Sequence, residues 1–141
     1  MTQRWTPPPV GIMKINTDDA FHEKTHSGGW FTLRNDIGAV AAAEAGNLEH
    51  VSDTLHTEAL AMLHAVNVAI RIGCDRLILE TDSLLLKQAL TSNIYDLSHL
   101  GAIFRDIKCQ HRVGLSHVSV KHCSRECNHV AYTLAAHGTT M

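Results

Sequence analysis

Residues 54–83 read TLHTEALAMLHAVNVAIRIGCDRLILETDS, and this stretch decides the fold. Apolar side chains recur at helical spacing from Ala59 to Ile70, which predicts a helix that begins around residues 52–54. Gly73 is typical of the position just past a helix end. The run 77–79 is short, continuous and apolar, as expected for a buried central strand reached through a crossover helix. The stretch therefore predicts an α/β sheet.

Upstream of this crossover the pattern is that of β-strands. Three prolines at residues 7–9 cannot continue a helix, and the alternation that follows them ends at Asp18. Gly28 opens a second run, and residues 35–38 predict a turn before a third. Such short connections predict three antiparallel strands, at residues 12–17, 30–34 and 39–45.

Downstream, the pattern predicts helices at 83–91 and 100–111, a strand at 113–122 and a last helix at 128–137. This order predicts an α/β fold with a five-stranded mixed sheet. Three antiparallel strands are followed by two joined through crossover helices, and helices cover both faces. With no internal repeat, we expect a single domain over residues 1–141 with its core at about 10–137.

Composition excludes several classes of protein. The chain has 141 residues, 45% hydrophobic and 18% charged, as is typical of a globular domain. Its longest apolar stretch is interrupted by polar residues and falls short of the ~18 residues that a membrane span needs. The N-terminus has no apolar segment like that of a signal peptide. We therefore expect an intracellular protein, in the nucleus or cytoplasm, with no membrane contact.

Charge gives an expectation about partners. The formal net charge is −2, so any affinity for nucleic acid should be modest and should fall with salt. A loose group of basic residues follows Asp82 on the two helices, and it is either a substrate-binding surface or a solvated helix face. Its members are Lys87, Arg105, Lys108, His111 and Arg112.

The four cysteines are expected to be reduced thiols, as is usual inside cells. One pair, Cys123 and Cys127, is flanked by His122 and His129 and suggests zinc. The spacing is loose for a zinc motif, and no second well-spaced pair accompanies it. Ordinary thiols near a strand end are the simpler interpretation.

Three carboxylates stand where this layout would bring them together. Asp18 ends the first strand, Glu58 is expected in the first turn of the main helix, and Asp82 ends the fourth strand. Catalytic groups often lie at strand ends beside helix starts. Each acid also has a structural explanation: a turn residue, a first-turn acid favoured by the helix dipole, and an N-cap, respectively.

Further motifs accompany the three acids in a fixed order. They are Trp5 with Pro7-Pro8-Pro9, Lys14-Ile15-Asn16-Thr17-Asp18, Gly28-Gly29, Arg34-Asn35-Asp36-Ile37-Gly38, Glu58-Ala59-Leu60-Ala61, Glu80-Thr81-Asp82-Ser83, and Arg125-Glu126-Cys127-Asn128 ahead of Ala131 and Leu134-Ala135. In these motifs the chain resembles the ribonuclease H-like domain of plant retroelement-derived, reverse-transcriptase-associated proteins. The resemblance covers nearly all of the chain.

The resemblance implies a ribonuclease H-like fold and metal-dependent cleavage of the RNA strand in RNA/DNA hybrid. It implies two Mg²⁺ ions roughly 4 Å apart, with Mn²⁺ as an alternative, and no organic cofactor. Carboxylates are the hard ligands that Mg²⁺ prefers. By this resemblance Asp18 bridges both ions and Asp82 serves the ion that activates water. Glu58 serves the ion beside the leaving oxygen and lies near a ribose 2′-OH.

The resemblance also indicates residues around the reacting phosphate. His122 precedes Asn128 at the spacing at which active relatives carry a mobile histidine, so it is a candidate proton shuttle. A solvent-facing histidine at a strand end explains it equally well. The residues expected beside the substrate are Asp19, Gly28, Ser83 and Asn128.

Two positions depart from the family's pattern. Where active members carry a fourth metal-binding acid or a histidine, this chain has Tyr132, whose neutral phenol is a poor Mg²⁺ ligand. Asp19 replaces the glycine that usually follows the first catalytic Asp. Its carboxylate would recruit metal, repel phosphate, or be a surface-turn residue of no consequence. Three functions follow: a weakened hybrid endoribonuclease, a catalytically silent domain that binds hybrid or another nucleic acid, and a module that binds a protein partner.

Overall fold

The computed structural model describes residues 4–20, 27–48, 54–125 and 127–128, without the side chains of residues 18–20, 27–30 and 45–48. In chain order the elements are β1 (Met13–Ala20), β2 (Ser27–Arg34), β3 (Val40–Leu48), α1 (Thr54–Arg71), β4 (Arg76–Thr81), α2 (Leu84–Thr91), α3 (Gly101–Gly114) and β5 (His117–His122). This order agrees with the sequence prediction up to residue 122. Residues 129–137 of the last predicted helix lie outside the described residues.

The strands form one five-stranded sheet in the order β3-β2-β1-β4-β5. The pairs β1–β2 and β2–β3 are antiparallel, whereas β4 pairs in parallel with β1 and with β5. Helix α1 lies between β3 and β4 in sequence, and α2 and α3 lie between β4 and β5. The mixed sheet predicted from the sequence, with crossover helices before its last two strands, is therefore present.

Two glycines with positive φ shape the ends of elements. In the β2–β3 turn, Asn35 Oδ1 accepts hydrogen bonds from the backbone N–H groups of Ile37 and Ala39, at 3.1 and 2.9 Å. Gly38 follows at φ 82°, in the left-handed region that favours glycine. Gly73 has φ 96° just after α1, and its N–H donates to the carbonyl of Ile70. This is a Schellman-type ending, so the prediction that the helix stops before Gly73 is confirmed.

One face of the sheet forms the hydrophobic core. Ile15 pairs with Leu33 on β2 and with Leu79 on β4, and all three side chains have no exposed surface. Burying a side chain of this size contributes about 1.5–3 kcal/mol. All three described helices add residues to the same cluster, and the largest include Met62, Leu86, Phe104 and Ile107. The described helices thus cover one face of the sheet. Helices were predicted on both faces, and residues 129–137 of the last predicted helix lie outside the described residues.

The opposite face of the sheet carries four buried polar residues and a half-buried tryptophan, which together we call the polar face: Trp5, Lys14, Asn16, Arg34 and Glu80. Lys14 Nζ lies 3.1 Å from Glu80 Oε2, and Asn16 Nδ2 donates to Glu80 Oε1 at 2.8 Å. Trp5 Nε1 donates to Asn16 Oδ1 at 2.9 Å, and the Arg34 guanidinium lies 3.7 Å from the centre of the indole ring. Burial lowers the pKa of Arg34, with Cys127 and Glu80 acting in the opposite direction. The residues before β1 therefore pack onto the sheet.

The start of the last strand differs from its prediction. The strand predicted from residue 113 begins at His117, and Val113 lies in α3, where it is 81% exposed. The alternation of the sequence across 113–122 suggested a longer strand. In the structure Leu115 is extended and follows the helix directly, so the sequence pattern shows no break between helix and strand. Ser116 lies directly before β5, and its Oγ donates to Asp75 Oδ2 at 2.6 Å, next to the start of β4. Helix α3 packs its inner face, at Phe104 and Ile107, into the core and ends at Gly114.

Candidate active site

One surface pocket collects side chains from α1, from the end of β4 and from the end of β5. It has a volume of about 380 Å³. We call it the carboxylate pocket, and it is lined by Thr54, Glu58, Asp82, Ser83, His122, Cys123, Ser124 and Arg125. Four of the predicted active-site residues therefore lie around one opening: Glu58, Asp82, Ser83 and His122.

Parallel pairing of β4 with β5 explains why Asp82 and His122 meet. Thr81 pairs with His122 at the ends of the two strands, and Cys123 N–H donates to the Thr81 carbonyl at 2.9 Å. The imidazole Nε2 of His122 lies 3.2 Å from the carbonyl oxygen of Asp82. Because a carbonyl only accepts, Nε2 donates in this contact. His122 is exposed at the end of β5, and it also lines the pocket.

Glu58 is placed differently along α1 than the sequence suggested. The helix begins at Thr54 and has no acidic residue in its first turn, so Glu58 lies in the second turn. The prediction of a first-turn acid is wrong although the predicted helix start at 52–54 agrees with Thr54, because counting from Thr54 puts Glu58 beyond the first turn. Dipole stabilisation falls off within the first turn, so it no longer explains this acid. Glu58 is 8% exposed and lines the pocket.

Asp82 and Ser83 divide two tasks at the start of α2. Ser83 is the N-cap of this helix, and its hydroxyl accepts the Leu86 N–H at 3.1 Å. The structural explanation of Asp82 as an N-cap therefore does not hold. Ser83, predicted to lie beside substrate, lines the pocket while it caps the helix. Ser83 therefore holds the N-cap position, and Asp82 lines the pocket directly before it.

Asp18 is described only by its backbone. It pairs with Trp30 on β2, and β1 pairs in parallel with β4 as far as Asn16 and Glu80. Asp18 and Asp82 each follow the last residue of their strand in this pairing by two positions, so both lie just beyond the end of the parallel pairing. The side chain of Asp18, the side chain of Asp19 and the surroundings of Gly28 lie outside the description, as does Tyr132 altogether.

Asn128 occupies an interior position. It has no exposed surface, its Nδ2 donates to the carbonyl of Thr17, and its Oδ1 accepts from Asn16 Nδ2 at 3.3 Å. Thr17 directly precedes Asp18. The amide of Asn128 therefore ties the segment after β5 to Thr17 within β1, directly before the predicted metal ligand Asp18. Because β1 continues to Ala20, the prediction that Asp18 ends the first strand is wrong.

Sequence reasoning missed three residues of the pocket: Thr54, Ser124 and Arg125. Arg125 is exposed and is the basic side chain among the lining residues. The sequence did contain a signal for Arg125, which is the first residue of the motif that ends at Asn128. Without coordinates nothing in that motif distinguished a pocket side chain from a surface one.

Cys123 lines the pocket but is unsuited to act as a nucleophile. Burial raises the pKa of its thiol, and the negative charge of Glu80 raises it further. The reactive form of cysteine is the thiolate, which such surroundings disfavour. Nucleophilic catalysis by Cys123 is therefore not the chemistry of this pocket.

The basic group on α2 and α3 is partly engaged within the protein. Lys108 Nζ lies 2.5 Å from Asp96 Oδ1 and 2.9 Å from the carbonyl of Ser92. Burial lowers the pKa of His111 to about 4, so this histidine is neutral at physiological pH. Two of the five members of this basic group, Lys108 and His111, are thus unavailable as cations for phosphate. This favours the interpretation of the group as a solvated helix face.

Among the described residues, no helix is long and apolar enough to cross a membrane.

The strand order and the helix connections define a ribonuclease H-like fold, and comparison with solved structures confirms it. Ribonuclease H1 of the halophilic archaeon Halobacterium salinarum NRC-1 matches with a TM-score of 0.72 and 21% identity, over 92% of this chain and 98% of that one. The N-terminal RNase H domain of Rv2228c from Mycobacterium tuberculosis matches with a TM-score of 0.77 and 14% identity, over 92% and 94%. LC11-RNase H1, isolated from compost by a metagenomic approach and solved with RNA/DNA hybrid, matches with a TM-score of 0.75 and 17% identity, over 89% and 94%.

Residues 16–138 match the model of the reverse transcriptase-like family. The chain therefore belongs to the reverse transcriptase-like family. No curated protein matches the sequence significantly.

Proposed function

We propose that this protein is a metal-dependent endoribonuclease that cleaves the RNA strand of RNA/DNA hybrids. The observation that carries the proposal is the carboxylate pocket, in which Glu58 from α1 and Asp82 from the end of β4 line one opening with His122 and Arg125. The proposal extends to a single domain over residues 1–141 of the plant retroelement-derived type, on the motifs from Trp5 to Leu134-Ala135. Four free cysteines support an intracellular location.

The donor set of the pocket fits Mg²⁺. Two carboxylates are accompanied by the hydroxyl groups of Thr54, Ser83 and Ser124, and oxygen donors of this kind suit a hard divalent cation. Glu58, Asp82 and Asp18 would hold the ions, and Mn²⁺ would be accepted by the same oxygens. When bound, the ions polarise the scissile phosphate and lower the pKa of a bound water.

The chain's own groups supply positioning and proton transfer. Arg125 is charged and exposed, so it would hold a substrate phosphate by charge-assisted hydrogen bonds. His122 reaches the pocket from β5 and would move a proton at its imidazole. Asn128 is buried and acts as a positioning residue through the Thr17 carbonyl, in place of the direct substrate contact expected from the sequence. Ser83 would donate its hydroxyl hydrogen to the substrate while its oxygen continues to accept the N-cap hydrogen bond from Leu86.

Labelled RNA/DNA hybrid, incubated with Mg²⁺ or Mn²⁺, tests the proposal. We expect cleavage of the RNA strand that stops in EDTA and is lost in Asp82→Asn and in Glu58→Gln. Asp106→Asn is the matched control, since Asp106 is an exposed carboxylate on α3 outside the pocket. Wild-type activity in both pocket variants would overturn the assignment.

A catalytically silent hybrid-binding domain is the second candidate, and Tyr132 at the position of the fourth acid favours it. In that case hybrid binds without being cleaved in either metal. A module for a protein partner predicts neither binding nor cleavage of hybrid, so the same assay, run beside a binding titration, separates all three functions.

A further inference from the structure

A second cluster of ligand-type side chains lies beneath the carboxylate pocket. Glu80, Cys123 and Cys127 bring one carboxylate oxygen and two sulfurs within 4.8 Å of one another, and all three residues are buried. Glu80 is on the polar face of β4, and both cysteines follow β5. Two thiols and a carboxylate that converge away from solvent form a typical transition-metal ligand set.

The distances suit a tetrahedral ion. Cys127 Sγ lies 3.7 Å from Glu80 Oε1. With a zinc–sulfur bond of about 2.3 Å and a zinc–oxygen bond of about 2.0 Å, tetrahedral geometry separates the two ligand atoms by about 3.5 Å. Asn128 Oδ1 lies 3.8 Å from Cys123 Sγ, so an amide oxygen is at hand for a fourth position.

Neighbouring groups already orient the carboxylate. Lys14 Nζ holds Glu80 Oε2 at 3.1 Å, which leaves Oε1 directed toward Cys127. Asn16 Nδ2 fixes the same Oε1 at 2.8 Å. Partners of this kind hold metal ligands in position in known metal sites. Lys14 and Arg34 also offset the negative charge that two thiolates and a carboxylate bring to the sheet.

We propose that Glu80, Cys123 and Cys127 form a structural zinc site, which adjoins the carboxylate pocket at Cys123 and uses different ligands. Its two sulfurs select Zn²⁺ over Mg²⁺, whereas the oxygen donors of Glu58 and Asp82 have the opposite preference. The bound ion links β4 to the segment 123–128, which carries Ser124 and Arg125 into the pocket. The site does not depend on the proposed nuclease activity, because none of its ligands is a predicted catalytic acid.

Zinc titration against a chromophoric chelator tests the site in the full chain. We expect one Zn²⁺ per chain to be taken from the chelator and excess Mg²⁺ to leave it bound. Cys127→Ser and Cys123→Ser should weaken binding by more than the roughly 10- to 100-fold that loss of an outer-shell partner costs. Cys109→Ser is the control, because Cys109 is an exposed thiol on α3 and should bind zinc as the wild type does. Equal losses in Cys109→Ser and Cys127→Ser, or no uptake by the wild type, would overturn the proposal.

X-ray absorption at the zinc edge of the wild type needs no variant, so it decides the question even if a serine variant fails to fold. Two sulfur neighbours with lighter atoms completing the shell are expected. A shell without sulfur, or displacement of the zinc by Mg²⁺, would assign the ion to the carboxylate pocket and overturn the thiolate site. A rise in melting temperature on zinc addition, absent in Cys127→Ser, is the corresponding readout of stability.

Discussion

His122 donates from Nε2 to the carbonyl oxygen of Asp82, across 3.2 Å between the ends of β5 and β4. The bond holds the imidazole at the rim of the carboxylate pocket without burying it. A single hydrogen bond of this kind contributes about 0.5–1.5 kcal/mol, so the ring can leave this position at little cost. His122 is thus anchored and movable at once, as a proton-transfer group requires.

Replacing His122 tests that role. His122→Ala should lower kcat for hybrid cleavage by about 10²-fold with KM near the wild-type value, because proton transfer is lost and binding is not. His122→Gln can keep a hydrogen bond to Asp82 but cannot carry a proton, so it should be equally slow. Wild-type kcat in the glutamine variant would show that the contact matters and the proton does not.

Asn128 should matter for stability as well as for activity. Asn128→Ala leaves the Thr17 carbonyl and the Asn16 amide without this partner in the interior, which costs about 1–3 kcal/mol. Urea unfolding measures the loss. Gln88→Ala removes an exposed amide from α2 and should leave the unfolding free energy nearly unchanged. If the two variants are equally stable, Asn128 does not hold β1 in place.

Stability should fall in mild acid because of His111. Burial lowers the pKa of its imidazole from 6.5 to about 4, and its Nε2 has no hydrogen-bond partner among the described residues. The unfolded chain takes up a proton below about pH 6.5 while the folded chain does not until about pH 4, so the unfolding free energy decreases across that interval.

Urea unfolding at several pH values in this window should therefore show a shallower decline for His111→Gln than for the wild type. His117→Gln, at an exposed histidine of β5, is the matched control and should retain the wild-type slope. The same slope in all three proteins would contradict a half-buried His111 that stays neutral in this pH range.

Arg125 should contribute to substrate affinity through charge. Arg125→Ala should raise KM for hybrid, lower kcat little, and reduce the salt dependence of binding by about one phosphate contact. Overall affinity should be weak and should fall with salt, because the chain carries a net charge of −2. Arg112→Ala removes an exposed cation from α3 outside the pocket. If that variant has the larger effect, the hybrid lies on the α2–α3 face instead.

Tyr132→Asp tests the fourth position of the family's acid set. An added carboxylate should tighten the water-activating ion and raise cleavage above the wild type. Tyr132→Phe, which keeps the ring without the hydroxyl, should not. Thermal melting must accompany the assay, since loss of a packed ring costs a few kcal/mol where it is buried. A folded Tyr132→Asp protein that is no more active at saturating Mg²⁺ would move suspicion to Asp19.

Periodicity was sufficient for the fold but not for element boundaries. The helical spacing from Ala59 to Ile70 and the run at 77–79 determine the crossover, because they report burial directly. Val113 was misassigned because a helix end followed by an extended Leu115 produces the same alternation as a strand. The start of α1 was predicted correctly at residues 52–54, but Glu58 was assigned to the first turn although it lies in the second.

Within the site, single side chains were predictable but their partners were not. Asp82 and His122 follow from family spacing, whereas their contact depends on the parallel register of β4 with β5. Glu80 was named only as part of the motif 80–83 and was given no role, because the predicted apolar run ended at Leu79. Only pairing with Asn16 places it on the polar face beside Cys127. A motif lists residues in order along the chain, and register decides which of them touch.

Trp5 has a practical consequence for anyone who shortens this chain. The stretch that matches the family begins at residue 16, yet the indole bonds to Asn16 and lies against Arg34, and the Thr6 carbonyl accepts from Lys14 Nζ at 2.6 Å. A fragment trimmed to the matched stretch would lose Lys14 itself and expose the Arg34 guanidinium and Glu80. We therefore expect a fragment that begins at or before Trp5 to be more stable than one that begins at residue 16.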